Sequence, residues 1–546
     1  MKKILFNTIV FFFLFFLPTY CLYADKNADD YINGMTLPEK IGQIMLIGFQ
    51  GKTLTTQDMH HLEKIKPGGI VFYGRNFEDA SDIPILISNT KSLFQNDTLP
   101  LFFAIDQEGG IVHRFEGEYH KPPSAPAIGA LNSEELAREV GISVGNTLRD
   151  LGINVNFAPV LDVPTDLFSS PMRRRSYSTD SHIVARLGTA YITGLHDTGI
   201  FAAAKHFPGI GRTHEDTHHT LPRITWKTNG EKDSDIMPFQ AAIETGVDMI
   251  MVGHITAEPG DEENPVSLSS YWMTDVLKKD MGFEGLVIVD NIEMKPIEDI
   301  MPIPEAAVQS FKAGADIIMV SHDRETQKKV FNALVHAVNK GTISLERLNE
   351  SVKKIIEAKE KMLSHETTHI SSKTLKELSR FVAENTVTIL TLKDAHSYTI
   401  NKNGKVLFVG NNKIISNVIK DTFKHSDILD TSISNYKKLH PESSLDEFMK
   451  KFDALFIDVS YTDAPDIISL CNDLDKNYFV LQSHFTDIHE TMERLSPKKI
   501  IITYESDREN LHAVFEILFG NRQARGRLPS HINFPSRYTY QSPTDN

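Results

Sequence analysis

Short apolar segments alternate with amphipathic stretches over about the first 320 residues of the chain. Several of these segments are continuous apolar runs, which are typical of parallel β-strands buried on both faces. The eight predicted strands lie at 43–49, 69–73, 101–105, 154–157, 201–204, 248–252, 286–289 and 316–320. Their starts are mostly about thirty to fifty residues apart, the length of a strand–loop–helix unit. The pattern predicts an α/β fold, a (β/α)8 TIM-type barrel, with an open doubly wound sheet as the alternative.

A second, smaller α/β region follows the predicted barrel. A helical stretch at 345–362 closes the first region, and the polar segment at 365–372 is expected to be a linker. Candidate strands of the second region lie at 386–392, 405–409, 454–459, 478–482 and 499–504. No glycine-rich nucleotide-binding signature opens a helix there. We therefore expect a catalytic barrel at 25–364, an α/β sandwich domain at 373–536 and a loose tail at 537–546.

The first 24 residues have the pattern of an export signal peptide. Two lysines precede an almost wholly apolar stretch at 4–17, which is too short to span a membrane and is followed by Pro18. Cleavage is expected after Ala24, and a lipid anchor on Cys21 is the alternative. We therefore expect an exported protein, periplasmic or secreted, without stable membrane insertion once the signal is removed. Cys471 would then be the one remaining cysteine, so no internal disulfide is expected.

The charge balance argues against one class of partner. The chain has 57 Lys and Arg against 72 Asp and Glu, which gives a formal net charge of −15. Binding to nucleic acid calls for a clustered basic surface, and no run of like charges or low-complexity tract is present in the sequence. No nucleic-acid partner is therefore expected.

Polar side chains follow four of the predicted barrel strands. Asp106 follows the third strand, Lys205 and His206 end the fifth, His254 follows the sixth and Asp290 ends the seventh. Each of these residues alone could be a helix cap or a loop residue. Because the carboxyl ends of barrel strands meet at the face that holds the active site, four such positions together predict a catalytic site.

The loop after the fifth strand carries two possible chemistries. His214, Glu215 and His218 have the spacing of a zinc-protease helix. Glycines and a proline precede them, threonines interrupt them and Pro222 follows, so a loop is expected, in which that spacing does not form a metal site. We therefore expect no metal and no cofactor. In a loop, Asp216 can orient the imidazole of His218 and stabilise its charged form, and this imidazole can donate and accept a proton near neutral pH.

Eight short motifs extend from the start of the barrel to the end of the second region. They are MTLPEKIGQ at 35–43, DQEGG at 106–110, PSA at 123–125, NFAPVLD at 156–162, RSY at 175–177, KHFPG at 205–209, GFEGLV at 282–287 and GRLP at 526–529. Together with the Asp-x-His loop, these motifs resemble family 3 of the glycoside hydrolases, specifically its β-N-acetylglucosaminidase branch. The last motif is similar to the end of the second domain in two-domain, exported members of the family.

The resemblance implies a retaining glycosidase that acts on a carbohydrate substrate, β-linked N-acetylglucosamine, with cell-wall fragments favoured as its source. Asp290 matches the family nucleophile, His218 matches the acid/base and Asp216 matches its partner. The positions that bind the sugar in this branch match Asp106, Arg114, Arg175, Lys205 and His206. Arg173 and Arg174 directly precede Arg175, so three adjacent arginines compete for one of these roles.

Three other functions are compatible with parts of this pattern. A family 3 β-glucosidase or β-xylosidase usually takes its acid/base from a carboxylate in the second domain and lacks the Asp-x-His loop. A phosphorylase would use phosphate in place of water. A catalytically silent protein that binds cell-wall glycans is the non-enzyme alternative, and the presence of Asp290, Asp216 and His218 argues against it.

Overall fold

The computed structural model describes residues 28–94, 99–115, 120–165, 170–215, 217, 219–364, 370–392, 400–429, 444–459, 464–474, 477–482, 497, 499–504, 507–519, 521–522, 524–526 and 538–540. The predicted export signal lies outside these residues. In the part of the chain that is described, no helix is both long enough and apolar enough to cross a lipid bilayer.

The described residues of the first region contain ten strands. They are β1 (Met45–Ile47), β2 (Gly69–Phe72), β3 (Phe102–Ile105), β4 (Val155–Asn156), β5 (Phe201–Phe207), β6 (Arg223–Thr225), β7 (Met249–Val252), β8 (Thr256–Glu258), β9 (Leu286–Val289) and β10 (Ile318–Val320). Eight of them form one parallel sheet in the order β10-β1-β2-β3-β4-β5-β7-β9, and β6 pairs with β8 in a separate ribbon. The sheet closes between β9 and β10, where the Ile317 N–H donates to the Val287 carbonyl at 3.1 Å. The predicted barrel is thereby confirmed, and all eight predicted strands are present.

The barrel strands are surrounded by helices. These are Ala28–Gly34, Leu37–Gln43, Thr56–Ile65, Asp82–Ser92, Ala125–Leu131, Glu134–Asp150, Ser181–Asp197, Asn229–Glu244, Lys295–Glu298, Ile303–Ala313, Arg324–Asn339 and Leu345–Ser364, with a π-helix at Tyr271–Asp280. Glu134–Asp150 shows why such segments form helices. Its buried Leu136, Val140, Val144 and Leu148 are four residues apart and share one face. The Ser133 hydroxyl accepts a hydrogen bond from the Leu136 N–H at 3.2 Å and caps the helix.

The described residues of the second region form a sheet of seven strands. The strands are β11 (Thr388–Leu392), β12 (Lys405–Val409), β13 (His425–Leu429), β14 (Ala454–Asp458), β15 (Tyr478–Gln482), β16 (Lys499–Ile502) and β17 (Tyr538–Tyr540), in the order β13-β12-β14-β15-β16-β11-β17. The helices of this region are Leu375–Thr386, Lys413–Thr422, Leu445–Met449, Ala464–Asp473 and Arg508–Leu518. Alternate residues of β12 belong to two different apolar clusters, Val406 and Phe408 to one and Leu407 and Val409 to the other. Both faces of this sheet are therefore covered, as in an α/β sandwich.

Two strands of the second sheet differ from the sequence expectations. β13 was not predicted, because it lies at a sheet edge and its His425 and Asp427 are exposed, which leaves no apolar run. β17 falls within the segment at 537–546 that was expected to be a loose tail. For Tyr538–Tyr540 that expectation is wrong, because these residues pair antiparallel with β11 and so satisfy their backbone hydrogen bonds.

The second region packs directly on the barrel. Leu375, Leu378 and Val382 of the Leu375–Thr386 helix belong to the same apolar cluster as the barrel core. An ion pair between Lys373 Nζ and Glu139 Oε2, at 3.0 Å, lies beside this contact. The two regions therefore share buried apolar surface as well as a chain connection.

Candidate active site

The predicted sugar-binding residues gather at the carboxyl ends of the barrel strands. Asp106 directly follows β3, and Arg114 lies in the loop that continues from it. Arg175 lies in the segment between β4 and the next helix, while Lys205 and His206 lie near the carboxyl end of β5. Three regions that are distant in sequence, which follow or end β3, β4 and β5, thus contribute to one cluster, as the barrel geometry requires.

Five charged side chains of alternating sign form a continuous network there. Arg114 Nη2 donates to Asp106 Oδ2 at 2.7 Å, and Lys205 Nζ donates to Asp106 Oδ1 at 2.7 Å. Lys205 Nζ also lies 2.6 Å from Glu108 Oε1. Arg175 holds Glu108 in a bidentate contact, with Nε at 2.9 Å and Nη2 at 2.7 Å from the two carboxylate oxygens. The order is therefore Arg114, Asp106, Lys205, Glu108 and Arg175.

This network keeps both of its carboxyl groups ionised. Burial raises the pKa of Asp106, but the charges of Lys205 and Arg114 outweigh burial and hold this pKa well below its usual value. Burial likewise opposes ionisation of Glu108, whereas the charges of Arg175 and Lys205 lower the pKa of Glu108 to about 2. The cations and anions of the cluster therefore fix one another in place at any pH near neutrality.

His206 is connected to this network and to a second buried acid. Its Nδ1 lies 2.8 Å from Asp162 Oδ2, and its Nε2 lies 3.4 Å from Arg175 Nη2. Because a guanidinium can only donate, Nε2 accepts, and the neutral ring therefore carries its proton on Nδ1, which donates to Asp162. Asp162 is fully buried, and its Oδ1 accepts the backbone N–H groups of His206 at 3.2 Å and Ile210 at 2.9 Å.

Asp290 directly follows β9, at the same end of the barrel. Its side chain is partly exposed, and its Oδ1 accepts the Asn291 N–H at 2.7 Å. Burial, the charge of Asp106 and the charge of Asp290 all raise the pKa of the Tyr73 phenol, so Tyr73 lies within electrostatic range of both carboxylates. His254 is buried nearby, with Nδ1 at 2.7 Å from Ser267 Oγ and Nε2 at 3.1 Å from the Asn291 carbonyl.

The burial of His254 sets its charge state. Burial lowers the pKa of His254, and the charge of Asp290 opposes this effect only in part. A neutral imidazole is therefore expected near pH 7. With Ser267 and the Asn291 carbonyl as its partners, His254 supports the backbone of the segment that carries Asp290.

The predicted dyad of Asp216 and His218 lies outside the described residues. Thr217, between them, is 7% exposed, and His219 is exposed. Among the described residues of the loop at 208–222 there is no helix, which agrees with the expectation of a loop. The described part of the chain also contains no group of three or more His, Cys, Asp or Glu side chains arranged to hold a metal ion.

Sequence reasoning missed two members of the cluster. Glu108 lies two residues after Asp106 in the same motif, and Asp162 ends the motif at 156–162. Membership of these motifs is the sequence signal that could have identified both residues. The structure also distinguishes Arg175 from Arg173. Arg175 joins the network, whereas Arg173 donates from Nη1 to the Ser170 carbonyl at 3.2 Å.

Comparison with known proteins agrees with this geometry. Residues 36–358 match the N-terminal domain of glycosyl hydrolase family 3. The chain is 31% identical over 300 residues to a β-hexosaminidase of Nitrosomonas eutropha, covering 54% of this chain and 84% of that protein. It is 32% identical over 285 residues to a β-hexosaminidase of Xylella fastidiosa, covering 51% of this chain and 83% of that protein.

A solved structure extends the similarity to both domains. The glycoside hydrolase family 3 β-N-acetylglucosaminidase from Paenibacillus sp. superposes with a TM-score of 0.81 at 29% identity, covering 91% of this chain and 98% of that chain. The family match covers more than half of the sequence, and the fold agrees over nearly all of it. The chain therefore belongs to glycosyl hydrolase family 3 and is a glycoside hydrolase.

Proposed function

We propose that the protein is a retaining exo-β-N-acetylglucosaminidase that removes terminal β-linked N-acetylglucosamine from cell-wall fragments after export. The observation that carries the proposal is the largely buried network of Asp106, Glu108, Arg175 and Lys205 at the same end of the barrel as Asp290. Relatives and a structural neighbour that bear the names β-hexosaminidase and β-N-acetylglucosaminidase support an N-acetylated sugar as the substrate.

In this proposal the network binds the sugar. The Asp106 carboxylate accepts hydrogen bonds from sugar hydroxyls, and Arg114, Arg175 and Lys205 donate to hydroxyls or to the acetamido carbonyl. His206 contributes by orienting the Arg175 guanidinium through Nε2. Lys205 is only 2% exposed, and its two ion pairs hold its position before any substrate is present. This preorganisation reduces the conformational entropy that is lost when the sugar binds.

The chemistry proceeds in two steps. Asp290 attacks the anomeric carbon and forms a glycosyl ester, while His218 donates a proton to the departing oxygen. His218 then takes a proton from water, which attacks the ester and releases the sugar with its β configuration retained. Asp216 orients the imidazole and stabilises its charged form. The partly exposed Asp290 carboxylate, with one hydrogen bond from the described residues, is suited to the role of nucleophile.

A panel of aryl glycosides tests the proposal. We expect hydrolysis of the N-acetylglucosaminide, with β-N-acetylglucosamine as the first product, and far slower hydrolysis of the glucoside and the xyloside. Each substrate is measured with and without phosphate, and we expect phosphate to change neither rate nor product. Faster turnover of the glucoside or xyloside, or formation of a sugar phosphate, would overturn the proposal. A cell-wall disaccharide and chitobiose, compared as natural substrates, test the proposed source.

A further inference from the structure

One buried carboxylate holds both ends of the segment that carries the proposed acid/base. Asp235 lies in the Asn229–Glu244 helix and is 2% exposed. Its Oδ2 accepts hydrogen bonds from Arg212 Nε at 2.5 Å and from Trp226 Nε1 at 2.8 Å. Arg212 lies near the start of the loop at 208–222, and Trp226 directly follows β6, the strand into which the loop leads. A single oxygen atom, Asp235 Oδ2, thus binds a residue near the start of this segment and a residue just after its end.

Further contacts fix the first turn of the same loop. The Ile210 N–H donates to Asp162 Oδ1 at 2.9 Å, and Ser170 Oγ donates to the Gly211 carbonyl at 2.9 Å. A Cβ at Gly211 would lie 2.2 Å from the carbonyl oxygen of Val163, so the close approach of these two chain segments requires glycine. The path of the chain into Arg212 is therefore determined from several sides.

The ion pair between Arg212 and Asp235 is expected to select one conformation of the loop more than to stabilise the folded protein. Burial raises the pKa of Asp235, and the hydrogen bonds from Arg212 and Trp226 oppose that rise. Within the described residues, Asp235 Oδ1 is buried without a hydrogen-bond partner, so this carboxylate is incompletely compensated for its loss of water. Buried pairs of this kind often contribute little net stability, whereas they can select one conformation over its alternatives.

We propose that Arg212 and Asp235 are positioning residues, which set the conformation of the loop that carries Asp216 and His218. The inference rests on the proposed function, in which His218 is the acid/base. Arg212 and Asp235 act through the loop and need not touch the substrate. Loss of the pair should therefore weaken proton transfer more than nucleophilic attack, because Asp290 is held by a different strand end.

Leaving groups separate positioning from a purely structural role. A dinitrophenyl leaving group departs without a proton, whereas a methyl leaving group requires one. For Arg212→Met, we expect kcat/KM for the methyl glycoside to fall by about 10²-fold, since small misplacement of a catalytic group has effects of that size. We expect kcat/KM for the dinitrophenyl glycoside to stay close to the wild-type value. Arg212→Lys, which keeps the charge, should recover part of the lost rate.

Two further variants separate this effect from loss of folding. Lys278 pairs with the buried Asp316 and, like Arg212, has a side chain that is 19% exposed, so Lys278→Met is a matched control outside the loop. Lys278→Met should change kcat/KM for the methyl and the dinitrophenyl glycoside by the same factor. In the double variant Arg212→Met with Asp235→Asn, no buried charge is left unpaired and Trp226 keeps an acceptor. This variant should fold and still show the defect that depends on the leaving group.

The outcomes distinguish the inference from the function on which it rests. If His218→Ala shows strong dependence on the leaving group but the double variant affects both substrates equally, the positioning role is wrong and the proposed function stands. If His218→Ala itself shows no such dependence, the proposed acid/base is wrong. If His218→Ala and the double variant both depend on the leaving group and Lys278→Met does not, the positioning role is supported.

Discussion

Asp290 is a partly exposed carboxylate at the end of β9, a strand whose residues are all 2% exposed or less. We predict that Asp290→Ala lowers turnover on the order of 10⁴-fold or more, because removal of a nucleophile disables both chemical steps. The melting temperature should stay near that of the wild type. A 2-fluoro glycoside that reacts slowly should label Asp290, as detected by mass spectrometry of peptides.

An acid in the segment between β9 and the Ile303–Ala313 helix provides the control for this prediction. Asp299 is exposed and pairs with Lys295 on the surface, so Asp299→Ala should leave turnover unchanged. Label on any carboxylate other than Asp290 would contradict the assignment of the nucleophile.

His218 is needed twice in the proposed mechanism, first as an acid and then as a base. We predict that His218→Ala lowers kcat/KM for a poor leaving group by about 10²–10⁴-fold, the usual worth of general acid–base catalysis. With a dinitrophenyl glycoside the covalent intermediate should accumulate, and azide, which needs no base, should restore turnover. Asp216→Asn should give a milder loss with a shifted pH profile, because it removes the charge that supports the imidazolium.

The neighbouring histidine is the internal control for the dyad. His219 is exposed, and His219→Ala should have little effect. Inactivity of His219→Ala, or failure of azide to rescue His218→Ala, would show that the dyad is assigned to the wrong residues.

Glu108 compensates two cations, Arg175, which is largely buried, and Lys205, which is buried. We predict that Glu108→Gln lowers the free energy of unfolding at pH 7 by about 3–5 kcal/mol, because it leaves buried charge without its partner. The native pKa of about 2 lies below the ordinary value of 4.5, so this stabilisation is fully present above pH 4.5 and is lost as the pH falls towards 2.

Denaturant unfolding at several pH values checks the Glu108 prediction. The difference in unfolding free energy between wild type and Glu108→Gln should be constant from about pH 8 to 6 and should narrow below pH 4.5. A difference that grows on acidification would mean that Glu108 is not held ionised by its neighbours.

At the scale of elements, the conformation of the loop at 208–222 distinguishes a glycosidase from a metalloprotease. His214, Glu215 and His218 have zinc-protease spacing, but the described residues of this loop form no helix to bring such ligands together. We predict that exhaustive chelation leaves hydrolysis of the N-acetylglucosaminide unchanged. A known zinc protease treated in parallel shows that the chelator works. Activity lost on chelation and regained with zinc would contradict the prediction.

At the scale of the whole molecule, the Leu375–Thr386 helix joins the two domains. Val382 is 3% exposed and belongs to the barrel's apolar cluster, whereas its neighbour Phe381 is 46% exposed. We predict that Val382→Asp lowers the free energy of unfolding by about 3–5 kcal/mol, since it buries an unpaired charge. Phe381→Asp, on the same helix, should change it by less than about 1 kcal/mol.

Thermal unfolding and limited proteolysis measure the effect on the interface. For Val382→Asp we expect an earlier transition and cleavage that separates the two domains. If Val382→Asp is as stable as Phe381→Asp, the helix does not join the domains through a shared core.

The sequence by itself determined the barrel and the end of it that is functional. Its strands are buried on both faces, so each appears as an apolar run, and a polar residue directly after such a run, as at Asp290, must lie at the carboxyl end. The sequence did not show β13 and β17, because edge strands need no apolar run to pair. It also did not show that Glu108 holds Arg175 from 67 residues away, or that Asp235 holds Arg212 from 23 residues away. Only the tertiary structure decided these pairs, because separation along the chain does not fix distance in space, and a buried charge takes whichever partner the packing brings within reach.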